Sequence, residues 1–370
     1  MPLGLDSHIM RSVISTPSRL VGELVTPDLR LQIVLPSGGV DFQTAVVAGP
    51  YSRSYYLLSV EVPDDPSKPG EFAVPVTTSS DGRTSHSYGA IGEMLTDLAS
   101  VWYGKRFDYH GVIIHDSIVR LPDLSCPSPV RHHELGFYNR KPRPDLDIEL
   151  TLQALGPVID FLHRQCPEKE LDAFWTAAHF YARALRAFNN DPEAAFFYFI
   201  VALEVVASQI DVPYEDLYDE KTRKDLEEIK DKCGPELANR VRHKYFQLRR
   251  KVVYAANDFV NDAFFQGSQA EPEWARLSRE NLNTRVGRAY DLRSKYVHSG
   301  IPFGIWVDTI VIPGAEVQVG RPVLPDSQGK RKLERILADI PTFAGLERLV
   351  RFVILSFANR RIDEIHATLR

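Results

Sequence analysis

The sequence predicts an α+β chain of two unlike domains. Residues 1–121 form a β-rich domain, a sandwich or partial barrel with one helix, and residues 146–370 form an all-α helical bundle. Three observations predict this. The 370 residues exceed what one hydrophobic core usually organises. Short β-branched and aromatic runs alternate with turn residues up to about residue 120, whereas apolar residues recur at helical spacing beyond residue 146. Between them, residues 122–145 carry Pro122, Pro127, Pro129, Pro142 and Pro144, which mark a proline-rich linker or extended arm.

In chain order, Leu29–Leu35, Tyr55–Val62 and Val112–Leu121 have strand length and β-forming content, punctuated by Pro36-Ser37-Gly38-Gly39, by Pro63 to Gly70 and by Ser79 to Gly82. One helix interrupts them, with Ile91, Leu95, Leu98 and Trp102 on one face. Past the linker, Leu152, Leu155, Val158, Ile159 and Leu162 share a helix face, and a second helix covers about Glu168–Phe188. Asp191 reads as the N-cap of a third helix with Pro192 at its first position. That helix, Ala194–Ala207, is apolar on all sides and is expected at the centre of the bundle. Tyr214–Cys233 holds a charged, exposed helix. Long helical segments follow at about Pro235–Gln266, Glu271–His298 and Lys330–His366, interrupted by a hairpin-like excursion over Gly300–Gly320.

The apolar fraction of 44 % and charged fraction of 25 % are those of an ordinary soluble globular protein, and the formal charge of −5 excludes a uniformly basic nucleic-acid wrapper. Cys126, Cys166 and Cys233 lie too far apart for a disulfide framework or a Cys₄ zinc site and suit a reducing cytoplasm. No secretory pattern is readable over Met1–Met10. The longest strongly apolar stretch, Ala194–Leu203, falls short of the roughly 20 residues of a membrane span. A cytoplasmic protein with no membrane partner is the expectation.

Several familiar chemistries are missing. There is no glycine-rich phosphate loop after a strand, no Gly-x-Ser-x-Gly elbow and no His-Glu-x-x-His helix. His110 and His115 fall on opposite faces of a strand and so do not converge on a metal, and His132-His133 sits in the linker. No metal site and no cofactor are predicted.

One segment stands out, Tyr290-Asp291-Leu292-Arg293-Ser294-Lys295-Tyr296-Val297-His298-Ser299-Gly300. Arg-to-His spacing alone carries nothing, since roughly three such pairs are expected at random and three occur: Arg293–His298, Arg360–His366 and Arg361–His366. Context separates them. Arg360 and Arg361 both reach Glu364 at helical spacing, so surface ion pairing accounts for the C-terminal pairs. Arg293 has Ala289, Tyr290, Tyr296 and Val297 at those positions, while its neighbour Asp291 aligns with Lys295. An arginine so placed finds its anion in a distant side chain, a partner subunit or a phosphate. His298 precedes Ser299-Gly300-Ile301-Pro302, a strong helix stop, where the negative end of the helix dipole favours an imidazolium. Glu204, a carboxylate in an apolar helix, either pairs with Arg293 as an orienting residue or reaches the bundle edge.

This segment resembles the signature of the HEPN superfamily, specifically the Apea-like HEPN group, in which an Arg-x₄₋₆-His pattern ends a helix of an all-α domain. The match takes in Tyr-Asp-Leu-Arg-Ser-Lys and His-Ser-Gly, and Ala202-Leu203-Glu204 looks like the family's acidic-residue-bearing helix. The resemblance covers about residues 150–370. It implies a metal-independent endoribonuclease that cleaves single-stranded RNA by attack of its own 2′-hydroxyl, in antiviral defence or abortive infection. Arg293 and His298 would act at a homodimer interface, with Glu204 and Asp291 orienting them. A histidine near its switching point suits proton transfer at a ribose hydroxyl, and Arg293 suits the charge of a phosphorane-like transition state.

Five residues turn a helix by about 140°, so the two side chains converge only if the helix unwinds at His298 or two copies meet across a dyad. Residues 236–298 carry 12 basic and 7 acidic side chains. Lys295, Arg249, Arg250 and Lys251 are the weaker candidates for RNA contact, and a solvated face explains the Arg240–Lys251 strip equally well. Two other readings stay open: a non-catalytic HEPN scaffold binding RNA or a protein partner, or a chain whose first domain senses a trigger ligand while the bundle only dimerises.

Overall fold

A computed structural model describes residues 7–16, 19–26, 29–34, 54–63, 76–78, 84–86, 88–115, 118–119, 149–163, 168–188, 190–212, 218, 220–244, 248–268, 270–300, 302, 304–307, 314–320 and 331–368. The predicted linker lies outside the described residues.

The N-terminal part is an antiparallel sheet. Its strands are β1 (Ser7–Thr16), β3 (Glu23–Val25), β4 (Arg30–Val34), β5 (Ser54–Pro63), β8 (Asp108–His115) and β9 (Ile118–Val119), in the order β3-β4-β5-β1-β8-β9. The short strand β2 (Arg19–Val21) lies outside this sheet, and β6 (Val76–Thr78) and β7 (Thr84–His86) pair as a separate hairpin. β1 runs through the middle, pairing Ile14 with Tyr56 of β5 and with Tyr109 of β8. Sequence periodicity missed this central strand. Its Ser12, Ser15 and Thr16 are fully buried, so the alternation of apolar and polar residues that reveals a strand is absent. Ser15 is satisfied by a 2.8 Å hydrogen bond with His110 Nε2, which gives that histidine a structural role.

Helix α1 (Tyr88–Tyr103) appears where the periodicity placed it and packs on β1 and β8. It does not mark a domain boundary. Ile91, Leu95, Leu98 and Val101 belong to one continuous apolar cluster that runs from Met10 in the sheet to Ala358 near the C-terminus. The expected division into two separate cores gives way to a shared one, because α1 is covered by the sheet on one side and by helices on the other.

Past residue 148 the chain is mostly helical. β10 (Glu149–Thr151) pairs in parallel with β2, so the second part opens on a strand that the helical reading had not placed. A 3₁₀ turn (Leu152–Leu155) leads into α2 (Gly156–His163), followed by α3 (Glu168–Ala187) and α4 (Pro192–Ser208). Asp191 caps α4 as its sequence predicts, its carboxylate accepting from the Ala194 N–H at 2.9 Å with Pro192 at the first turn. α4 packs against α3 and against α7 (Leu248–Phe259), α9 (Arg279–Ser299) and α11 (Phe343–Thr368).

The charged helix α5 (Glu220–Cys233) pairs with α6 (Pro235–Lys244). The helical segment expected over Pro235–Gln266 holds α6, α7 and the short α8 (Asp262–Gln266), which Asn261 caps, with residues 245–247 outside the described residues. Of the expected excursion over Gly300–Gly320, the described residues hold a 3₁₀ turn (Gly304–Val307) and a bridge from Val317 to Pro341, and residues 308–313 lie outside them. α10 (Arg331–Ala338) then precedes α11.

Polar side chains lock the sheet's helix onto the bundle. Arg186 of α3 reaches Asp97 Oδ1 at 2.7 Å and donates through Nε to the Phe107 carbonyl at 3.0 Å. His179 Nδ1 meets Asp97 Oδ2 at 2.8 Å. The last carbonyls of α1 have no basic residue of their own helix to meet them, and Arg351 of α11 supplies one, donating to the oxygens of Val101 and Trp102.

Candidate functional site at the α4–α9 seam

α9 starts with Ser278 and Asn281 in a reciprocal capping box and runs unbroken through His298 to Ser299. Gly300 then ends it at φ 60°, a left-handed conformation that suits glycine, with its N–H on the Tyr296 carbonyl at 3.1 Å. The helix therefore does not unwind at His298. Of the two ways to bring Arg293 and His298 together, the one within a single chain is closed.

Arg293 turns toward the bundle and finds its anion there. Its Nη2 lies 3.1 Å from Glu204 Oε2 of α4, with the arginine side chain 18 % and the glutamate 12 % exposed. Of the two placements the sequence left open for Glu204, the structure takes the paired one. The rings of Phe197 and Tyr290 flank the guanidinium, 5.5 and 5.8 Å from its central carbon. Contact is through one N–H only, and Glu204 Oε1 and Arg293 Nε are both buried without a hydrogen-bond partner among the described residues. Burial pushes the Glu204 carboxyl above the usual carboxylate range, partly offset by the Arg293 charge. Burial also raises the Tyr290 hydroxyl, with the Glu204 charge adding to it.

The pairing has a measurable consequence. Glu204→Ala leaves a half-buried guanidinium uncompensated and is expected to destabilise the chain by about 3 kcal/mol. Adding Arg293→Leu to Glu204→Ala removes the orphaned charge and is expected to recover most of that loss. A double-mutant cycle by urea unfolding checks it; additive losses mean that the two groups do not interact.

His298 is exposed at the helix end, beside Val297, which is 48 % exposed. It shares its helix face with Lys295, Asp291, Arg288 and Gly287, about 140° from Arg293. Asp291 does not pair with Lys295, as helical spacing suggested. It accepts from Arg249 Nε at 2.8 Å and from Arg288 Nη1 at 3.3 Å. A bidentate guanidinium from α7 outcompetes a lysine one turn away. Sequence reasoning missed Arg288; its spacing of three from Asp291 was the available signal.

The basic strip is also corrected. Lys251 is only 8 % exposed, its ammonium donating to the Ser208 carbonyl at 3.3 Å, and burial lowers its pKa. It lies inside the bundle and is withdrawn as an RNA contact. Arg250 is half-buried and has bonding partners of its own. Arg360 serves structure through Asp258 and the Phe259 ring, and the side chain of Glu364, its expected partner, lies outside the described residues. The side chain of His366 lies outside the described residues.

The chain matches no family model, no curated protein and no solved structure. Among the described residues no group of three or more histidine, cysteine or acidic side chains is placed to hold a metal ion, and no helix is long and apolar enough to cross a membrane.

Proposed function

We propose that this chain is a metal-independent endoribonuclease of the HEPN type, acting on single-stranded RNA with Arg293 and His298 and serving antiviral defence or abortive infection. The observation that carries the reading is the seam itself. The arginine singled out for lacking a helical partner is held half-buried on Glu204, while the histidine singled out beside it stands exposed at the end of the same helix. His298 takes the 2′-hydroxyl proton or returns one to the leaving oxygen, Arg293 stabilises the charge gathering on phosphorus, and Glu204 orients Arg293.

One chain presents these two groups in different directions, so the reading includes a homodimer that brings two helix ends around one phosphate. The surface of α4 supports that assembly. Phe197, Val201 and Val205, spaced four apart on α4, are only half-covered, and Phe197 lies against Arg293. A second reading, a non-catalytic RNA- or protein-binding scaffold, is favoured by the same separation, since Arg293 already has an internal partner.

Cleavage of single-stranded RNA by the purified chain is the deciding assay, and activity is expected to persist in EDTA because acid–base chemistry by His298 needs no metal. Loss in EDTA with recovery on adding Mg²⁺ or Mn²⁺ would falsify the mechanism. An inactive wild-type chain that still binds RNA would favour the scaffold.

A further inference from the structure

The face of α9 that ends in His298 is organised around a carboxylate shared by two arginines from different helices. Arg249 of α7 donates to Asp291 through Nε at 2.8 Å, with Nη2 at 3.5 Å, and Arg288 of α9 donates through Nη1 at 3.3 Å. Gly287 makes the seat for Arg249, since a Cβ on it would stand 2.4 Å from Arg249 Nη2. The arginine side chains are 40 % and 37 % exposed, so the clustered charge faces solvent. Each guanidinium has five N–H donors and Asp291 engages only its inner edge. The outer donors have no closer acceptor among the described residues than Asp339, 3.7 Å from Arg288 Nε. Lys295 and His298 continue the same face over about 10 Å of helix.

We propose that Arg249 and Arg288, braced on Asp291, form a clamp for one phosphodiester of single-stranded RNA, with the strand continuing past Lys295 to His298. The identity of the ligand rests on the nuclease reading. Asp291 and, more distantly, Asp339 occupy only part of the two guanidiniums, and the planar forks left facing solvent match the paired oxygens of a phosphate. Because Asp291 and Gly287 fix the forks beforehand, little side-chain freedom is lost on binding. Arg293 keeps its separate place at the seam and acts on the scissile phosphate, not on this one.

The test uses the full chain and a single-stranded 2′-O-methyl RNA oligonucleotide, which lacks the attacking hydroxyl. Binding is followed by fluorescence anisotropy between 50 and 200 mM KCl. Arg249→Lys/Arg288→Lys keeps both charges and loses both forks, and is expected to weaken binding about tenfold. Gly287→Ala displaces Arg249 without changing charge and adds helix propensity, so its expected loss of about threefold does not come from unfolding. Lys224→Gln, on exposed α5, is expected to bind like wild type.

Unchanged binding by the double lysine variant, or no binding at 50 mM salt, overturns the clamp. Displacement of the RNA by polyglutamate at equal charge concentration also overturns it, assigning the arginines to an acidic protein. A chain that binds through the clamp but leaves unmodified RNA intact refutes the nuclease reading and leaves the clamp standing.

Discussion

His298→Ala is expected to lower RNA cleavage by ~10²–10⁴-fold while leaving stability within about 0.5 kcal/mol of wild type. The two halves of that expectation come from one observation. His298 stands exposed at the end of α9, so its truncation opens no buried cavity. Arg293→Ala is expected to abolish cleavage as well, but with a stability loss, because Glu204 is left buried without its cation. Cleavage rates and thermal melts on the two variants separate these outcomes.

Mixing is the companion measurement. Adding inactive Arg293→Ala/His298→Ala chains to wild type is expected to suppress activity beyond dilution, since each inactive chain also disables a wild-type partner. Activity that falls only in proportion to the wild-type fraction would mean that each chain carries a complete site. Full activity in His298→Ala would remove the proposed acid–base role outright.

Separating the chain at the proline-rich segment is expected to have the other large effect: residues 146–370 expressed alone do not form a soluble, cooperatively folded unit. α1 is the reason. Leu98 and Val101 are buried in the common cluster, Arg186 loses Asp97 and the Phe107 carbonyl, and Arg351 loses the two carbonyls it caps. Removing 1–121 therefore exposes an apolar face and takes these acceptors away from Arg186 and Arg351. Co-expression of 1–121 with 146–370 is expected to restore a soluble complex. A soluble 146–370 fragment that melts at the temperature of the intact chain would show that the halves do not depend on each other.

Local chemistry was legible wherever the deciding interaction lies within a few residues. Asp191-Pro192 announces the start of α4 because a cap and a fixed φ act on the first turn alone. Ser299-Gly300 announces the end of α9 for the same reason. The apolar period of α1 places that helix, and the missing partner around Arg293 points to an anion elsewhere in the fold.

What the sequence by itself determined, then, is the pair of secondary-structure regimes, most helix positions, and the exceptional character of Arg293 and Glu204. Tertiary structure decided whatever depended on competition between distant groups. β1 is central although its buried serines and threonine erase the strand pattern, because its backbone pairs with β5 on one side and β8 on the other and Ser15 bonds His110. Asp291 goes to Arg249 rather than Lys295 because a guanidinium fork from another helix, seated over Gly287, makes two contacts where a lysine makes one. Lys251 is drawn inward as its neighbours Val252 and Ala255 enter the core. The two halves share that core because α1 has apolar side chains enough for two faces, and only the assembled fold shows what lies against the second.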